Sequence, residues 1–521
     1  MNIREEARIK KMKKHIALFL ALTLVMSIAL SGCGGDKKHT DNSSVVVGIT
    51  QELDSLDPHK AVAAGTHEVL FNVFEGLVKP DSDGNLNPAV ASKCDVNETG
   101  DVYTFTLREG ITFHNGENVT TDDIVYSVKR SAGLLEGESK DININKALAE
   151  NLKSIEATDD KTVVLTLKNP DTELLAYLTE SDCAIIPASY KDQGKAPIGT
   201  GPYKFVSYTP LESFIMEAYD GYWNEKGKPH IPNVTFKISS NADAAFLELQ
   251  SGGIDIFPYL TDEQAKQLSE DKFHVEIGNM NLVQGLFLNN KAEPFNNPLV
   301  RQALNYAVDK QAVIDMVAGG NGTIIGSNMF AGLTSYYNEE MATRYSVDTK
   351  KAKELLAQAG YGDGLEFTIT VPSNYQFHVD TAQVIVEQLK VIGVTAKINL
   401  VDWSTWLSDV YTARKYQATI VGLDGNLAPK DLLDRYSSKA DNNFVNYSNS
   451  QYDDVLEQAI ATTEETEKME CYKKLQEILA TDAASVYIQD PAKYVAVNKK
   501  LGGYEFYPVY VQDLSSVYFT E

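Results

Sequence analysis

Apolar positions along the chain recur with two periods, and the alternation between them predicts most of the architecture. Val102-Tyr-Thr-Phe-Thr-Leu107 alternates as a half-buried strand, and Lys161-Thr-Val-Val-Leu-Thr-Leu167 reads as another, stopped by Asn169-Pro170. Helical spacing follows Asp122-Asp123, with these acids in the first turn and Lys129 and Arg130 further on, as the helix dipole favours. The clearest stretch is 298–423. Pro298 opens a helix whose apolar positions are Leu299, Ala303, Leu304, Ala307 and Val308. Asp348-Thr349 caps a second, carrying Ala352, Leu355, Leu356 and Ala359, with Gly360 at its end. The pattern then predicts a strand over 367–371, a helix over 381–392 ending at Gly393, and a strand over 395–401. A short helix over 403–411 and a strand over 418–423 complete it. This β-α-β-α-β order predicts a largely parallel, helix-covered sheet in an α/β protein, with ligands beyond the carboxyl ends of its strands. Asp424-Gly425-Asn426 lies just past one such end.

The N-terminus follows a different pattern. Residues 16–30 are an almost unbroken apolar run behind Lys13, Lys14 and His15, too short to span a membrane comfortably and laid out as a secretory signal. It ends in Leu30-Ser31-Gly32-Cys33, which resembles a bacterial lipobox, so Cys33 is expected to carry lipid and become the mature N-terminus. Residues 1–32 are then a signal peptide and 33–44, including the polar Lys37–Ser44 stretch, a flexible tether. Glu5 and Glu6 are unusual in a basic leader, and a start at Met12 would remove them.

Composition sharpens this picture. The 521 residues carry 47 basic and 72 acidic side chains, a net charge of −25. Removing the leader, which carries +4, leaves 489 residues at −29. Such a balance argues against nucleic acid, which needs clustered Lys and Arg. With 43% hydrophobic residues the chain is an ordinary globular protein with room for two to four domains at about 100–200 residues each. Four cysteines, one assigned to lipid, cannot form a disulfide scaffold, and none of Cys94, Cys183 and Cys471 is expected to pair.

No enzyme signature emerges. The eight histidines include no His-x-x-x-His pair and no Cys partner at zinc spacing, so neither a metal nor another cofactor is expected. A Gly-x-Ser-x-Gly elbow is absent. Gly199-Thr-Gly201 runs straight into a strand and is not a phosphate cradle. Asp81-Ser-Asp83-Gly84 begins like a calcium loop, but position 92 is a serine where a glutamate is needed, so it reads as a β-turn.

Several segments together resemble the family 5 bacterial solute-binding proteins, the oligopeptide-, dipeptide- and nickel-binding components of ABC importers. Leu56-Asp57-Pro58-His59 and Phe74-Glu75-Gly76-Leu77 fit the family's N-terminal pattern. Leu86-Asn-Pro88 through Tyr103-Thr-Phe105-Thr-Leu107-Arg108 to Phe113-His114-Asn-Gly116 resembles its longest signature, continued by Thr121-Asp-Asp123. Gly201-Pro202-Tyr203, Tyr222-Trp223, Val300-Arg301-Gln302-Ala303 and Ala352-Lys-Glu-Leu355 follow in the family's order, so the match spans about 45 to 521. Most of these motifs read as structural: Gly116 and Gly201 as turn glycines, Arg108 and Asp123 as loop anchors.

The resemblance implies a two-lobe, type II periplasmic-binding-protein-like fold that closes on its ligand. Lobe I would be 45–283 plus 486–521, with an extra subdomain at about 86–189, and lobe II 284–485. It implies a monomeric, non-enzymatic, lipid-anchored receptor on the outer face of the cytoplasmic membrane, passing peptides to an ABC permease and its ATPase. An extended peptide would pair main chain to main chain with both lobes, its α-ammonium met by a carboxylate. By position Asp424 is that carboxylate, Gly422 and Leu423 offer one strand edge, and Ala63 and Ala64 the other. Trp403 and Trp406, three apart and so on one helix face, supply one ring to the core and one to the pocket. Arg435 is the candidate for a ligand carboxylate, and Tyr487 lies on the second hinge strand. The chain departs from the peptide-binding pattern at Val421-Gly-Leu-Asp-Gly-Asn-Leu-Ala-Pro429, which lacks the usual tryptophan and is one residue longer before proline. The same fold binding an oligosaccharide, an opine-like conjugate or a nickel chelate is the alternative, and a secreted hydrolase is the alternative of another class.

Overall fold

Residues 43–137, 141–239 and 241–520 are described by the computed structural model. Cys33 and the apolar run at 16–30 lie outside the described residues. Among the described residues no helix is long and apolar enough to cross a membrane.

The strands predicted over 367–371, 395–401 and 418–423 join one twelve-stranded mixed sheet. Seven strands of that sheet fix the site: β1 (Ser44–Ile49), β2 (Ile256–Leu260), β3 (Leu282–Leu288), β4 (Leu365–Pro372), β5 (Val394–Val401), β6 (Ala418–Asp424) and β7 (Ser485–Asn498). Their order is β5–β4–β6–β3–β7–β2–β1, extended by three antiparallel strands from 203–238. The expected parallel portion is present: β4 pairs in parallel with β5 from Leu365–Val394 to Pro372–Val401, and with β6 at Ile369–Ala418 and Thr370–Thr419. Leu304, Ala382, Ile385 and Leu389 from the covering helices bury against Ile369, Val371 and Ile420.

The strand β7 holds the two portions of the sheet together. Its first residues pair antiparallel with β3, from Phe287–Ser485 to Gln284–Gln489, while its later ones pair with β2 and with Phe273–Asn279. Pro491 marks the changeover, where a residue without an N–H costs the ladder least; its carbonyl accepts from Met280 N–H at 2.8 Å. A separate four-stranded antiparallel sheet, with Val102–Leu107 and Thr162–Leu167 at its centre, packs against the helix Thr121–Ser131.

Local signals explain these elements. Thr120 and Asp123 form a reciprocal capping box at that helix, and Asp123 also accepts the Ala188 N–H at 2.8 Å, so it anchors a loop as expected. The Arg108 guanidinium donates to the Pro88, Ala89 and Ala91 carbonyls. Gly116 does occupy a left-handed turn at φ +83°; Gly201 does not, and is needed because a Cβ there would lie 2.5 Å from the Asn72 carbonyl oxygen.

Two predicted boundaries move. The helix expected from residue 381 starts at Gln376, because the polar His378 sits on its buried face and interrupts the apolar period. The helix expected over 403–411 is one α-turn, Trp403–Thr405, that widens into a π-helix over Trp406–Thr412. Cys94, Cys183 and Cys471 are free thiols.

Candidate ligand-binding site

A cavity of about 280 Å³ is enclosed by four stretches far apart in sequence: His67–Pro80, Asn143 with 176–184, Gly425–Leu427 and Val509–Val511. Each is positioned by ordinary backbone chemistry. The helix Ala64–Leu70 has no capping side chain of its own; Asp54 instead accepts the N–H groups of Val62 and Ala63 at 2.8 and 3.3 Å and the Thr66 hydroxyl at 2.5 Å. That orientation turns His67, Leu70, Phe71 and Phe74 toward the cavity. On the other side β6 ends and Gly425 donates its N–H to the Asn281 carbonyl at 3.2 Å. A Cβ at Gly425 would fall 1.8 Å from the Phe330 ring, so only glycine lets this loop lie flat and carry Asn426 inward.

The polar wall has a definite charge pattern. Glu75 is fully engaged, accepting from Tyr222 Oη at 2.7 Å, Trp223 Nε1 at 2.8 Å and Thr200 Oγ1 at 3.2 Å, with Lys79 Nζ at 3.7 Å. Lys79 also stands 4.5 Å from the centre of the Phe71 ring. Glu180 and Asp182 meet neutral donors: Asn145 Nδ2 donates to both at 3.0 and 3.1 Å, Asn426 Nδ2 lies 3.4 Å from Glu180, and the Cys183 thiol and the Asp182 backbone N–H also serve the Asp182 carboxyl. Both amides are held the right way round, because Asn145 Oδ1 caps a helix by accepting the Leu148 N–H and Asn426 Oδ1 accepts the Ala428 N–H. Burial, reinforced by the neighbouring Asp182 and Asp431 charges, pushes the Glu180 carboxyl well above its ordinary range; burial raises Asp182 as well. Burial lowers His67, against the opposing charge of Asp54.

The residues singled out from sequence spread over this region. Asp424 is exposed at the end of β6, and its Oδ1 accepts from Tyr510 Oη at 2.7 Å; Tyr510 itself lines the cavity. Gly422 N–H already donates to His378 Nε2 at 3.0 Å, and Leu423 is buried opposite Val283 in the β3–β6 ladder. Burial holds His378 neutral, with a pKa of about 4. Ala63 and Ala64 sit at the start of their helix, outside the cavity lining. Trp406 is buried, with Nε1 donating to Thr419 Oγ1 at 2.9 Å, and the Trp403 ring stacks on it at 5.0 Å while remaining partly exposed. Arg435 donates to the Asp431 carbonyl at 3.1 Å, and Tyr487 is buried beside Tyr436. Glu180, Asp182, Asn145 and Tyr510 were not anticipated. Asn426 was signalled by its place beyond a strand's carboxyl end, whereas Thr179-Glu-Ser-Asp182 reads as plain polar surface.

The profile described as Bacterial extracellular solute-binding proteins, family 5 Middle, matches residues 85–444. The chain belongs to that family. The oligopeptide-binding protein AppA of Bacillus subtilis is 26% identical over 96% of this chain and 97% of its own length. Heme-binding protein A of Haemophilus influenzae is 31% identical over 84% of each chain. The structure of the periplasmic binding protein DppA from Helicobacter pylori in complex with the peptide STSA superposes with a TM-score of 0.70, at 26% identity, covering 92% of this chain and 98% of that one. The α/β, type II fold expected from sequence is therefore the fold of this chain.

In this family 5 solute-binding protein the segment that carries Glu180 is fastened at its other end. Glu173 accepts from Lys468 Nζ at 3.0 Å and from Tyr472 Oη at 2.6 Å, all three groups being buried. Asp171 meets Lys430 at 2.9 Å, and Tyr177 Oη donates to Asp431 at 2.8 Å. These contacts tie 171–182 to the helices Pro429–Leu433 and Glu465–Thr481, which places the cavity wall beside the Gly425–Leu427 loop.

Proposed function

We propose that the protein is the lipid-anchored receptor of an ABC importer, and that it captures short peptides in the 67–80/176–184/425–427/509–511 cavity before handing them to a membrane permease. The observation that carries this reading is the cavity itself: it is bounded by residues drawn from both ends and the middle of the chain, so one ligand there touches stretches that are far apart in sequence. The oligopeptide-binding name of the Bacillus relative and the peptide in the Helicobacter structure support the ligand class. Cys33 in its lipobox supports the anchor. Asp424, at the cavity's edge, gives one oxygen to Tyr510 and turns its charge to the peptide's α-ammonium.

The mature protein is expected to gain thermal stability with short peptides bearing a free amino terminus, and Asp424→Ala to lose most of that gain. Equal stabilisation by N-acetylated peptides removes the ammonium role. Mass spectrometry of material carried through native purification tests the ligand class directly: a co-purifying sugar, conjugate or chelate, with no peptide, overturns it.

A further inference from the structure

The cavity's lining mixes two kinds of group in a way that specifies more than a peptide. Part of it is apolar, built from Leu70, Phe71, Phe74, Leu427, Val509 and Val511. Glu180 and Asp182 line it as well, and their partners are neutral: the amides of Asn143, Asn145 and Asn426 and, for Asp182, the Cys183 thiol and its own backbone N–H. The remaining charges facing the cavity are matched elsewhere: Glu75 by its three donors and Lys79, and Lys79 in turn by Glu75 and the buried Asp513. Asp431, behind Glu180, is held by Tyr177 and Asn426. His67 is kept neutral by burial. Among the described residues no cation of the chain is paired with Glu180 or Asp182, so the cavity holds two carboxyl groups open to a cation beside apolar lining.

Resting on the peptide-receptor reading, we propose that Glu180 and Asp182 receive a basic side chain of the bound peptide, so that the cleft selects short peptides carrying lysine or arginine. Such a side chain fits both features at once. Its methylene stem lies along apolar surface while its charged head reaches a carboxylate. Bringing two carboxylates together in a poorly hydrated place is costly without a cation, and a lysine or arginine head supplies the charge-assisted hydrogen bonds that reverse the cost. Asp424 lies outside the cavity lining and remains the partner of the α-ammonium, so the two cationic groups of one peptide are separately received.

The test compares tripeptides that differ only at one side chain, lysine against norleucine, by calorimetric titration of the lipid-free mature protein. The lysine peptide should bind about tenfold to hundredfold more tightly. Glu180→Gln, whose carbonyl can still accept from the Asn145 amide while its NH2 takes the place of the oxygen 3.4 Å from Asn426 Nδ2, should erase most of that preference, and Asp182→Asn should reduce it. Asp424→Ala should weaken both peptides alike. Equal affinity for the two peptides overturns the proposal, as does a lysine preference that survives in both carboxylate variants. If Glu180→Gln instead removes the benefit of a free amino terminus from the norleucine peptide, Glu180 is the ammonium receptor and the side-chain assignment falls. Should no peptide of either kind bind, it is the peptide reading that has failed.

Discussion

Glu173 and Glu180 lie on the same short stretch of chain and meet opposite surroundings. Glu173 is enclosed with a lysine and a tyrosine, Lys468 at 3.0 Å and Tyr472 at 2.6 Å. Glu180 meets two asparagines and two further carboxyl groups, with no lysine or arginine partner among the described residues. Burial pushes both carboxyls upward, but Lys468 opposes the shift at Glu173 while Asp182 and Asp431 add to it at Glu180. The difference separates two uses of a buried acid. A carboxylate whose cation comes from the same chain holds elements together; one whose neighbours leave it uncompensated beside a cavity is arranged for a cation from elsewhere.

The largest expected effect comes from breaking the matched pair. Glu173→Ala leaves the Lys468 ammonium buried with the Thr172 carbonyl at 3.2 Å as its hydrogen-bond acceptor, and should cost roughly 3–5 kcal/mol of stability by urea unfolding. Glu180→Gln should cost little or even stabilise the ligand-free protein, since it replaces a carboxyl whose ionised form burial and the neighbouring Asp182 and Asp431 disfavour. A double variant, Glu173→Leu with Lys468→Met, should recover most of the loss, because the penalty lies in the orphaned charge and not in the absent attraction. A loss under about 1 kcal/mol for Glu173→Ala would mean that water reaches Lys468 and the two glutamates are not opposites.

A third buried acid, Asp490 on β7, tests the same contrast at the junction of the sheet. Its Oδ1 accepts the Leu282 N–H of β3 at 3.1 Å, while Oδ2 has no hydrogen-bond partner among the described residues, and burial pushes the carboxyl up to about 7. The backbone N–H groups of Leu282, Asn281 and Met280 work against that rise; Tyr337 and Tyr510 are the titratable side chains beside it. A carboxyl whose pKa is raised on folding keeps its proton in the native protein while the unfolded chain has lost it. Stability should therefore fall as pH climbs from about 4 to about 7, by up to ~4 kcal/mol at ~1.4 kcal/mol per unit. Asp490→Asn should flatten that part of the pH–stability curve and be the more stable protein at pH 8. Parallel curves for the two proteins would show that Asp490 is ionised and solvated.

How much of this was readable from sequence depends on whether the deciding contacts are local. The parallel arrangement of β4, β5 and β6, the cap at Asp348 and the stop at Gly393 follow from periods and signals spanning a few residues, and they appear where expected. The start of the Gln376–Lys390 helix was missed because the buried residue there is a histidine serving the Gly422 N–H, a need that lies in another strand. Trp403 and Trp406 were read as neighbours on one face; their stacking holds, but it is the Trp406 bond to Thr419 that goes with the wider π-turn. Glu180 was invisible for the same reason. Its partner Asn426 lies 246 residues away, and nothing around Thr179-Glu-Ser-Asp182 marks it as interior. The strand-end rule reached only as far as Asp424-Gly425-Asn426, one wall of a cavity that needs four.

The smallest expected effect compares tyrosine–carboxylate pairs at the two kinds of place. Tyr472 Oη donates to Glu173 at 2.6 Å in a fully buried setting; Tyr510 Oη donates to Asp424 at 2.7 Å where the carboxylate is exposed. Removing a buried partner leaves an acceptor unsatisfied, at about 1–3 kcal/mol, whereas water can replace a lost donor at the surface, at about 1 kcal/mol or less. Tyr472→Phe should therefore destabilise by more than Tyr510→Phe, measured under the same urea conditions. The second substitution should still act on binding, since the Tyr510 ring lines the cavity and its hydroxyl orients Asp424. A modest loss of affinity for peptides with a free amino terminus, with stability nearly unchanged, places the Asp424 pair with Glu180 among groups set for a ligand. A stability loss matching that of Tyr472→Phe would place it with Glu173 instead, as another fastening between distant parts of the chain.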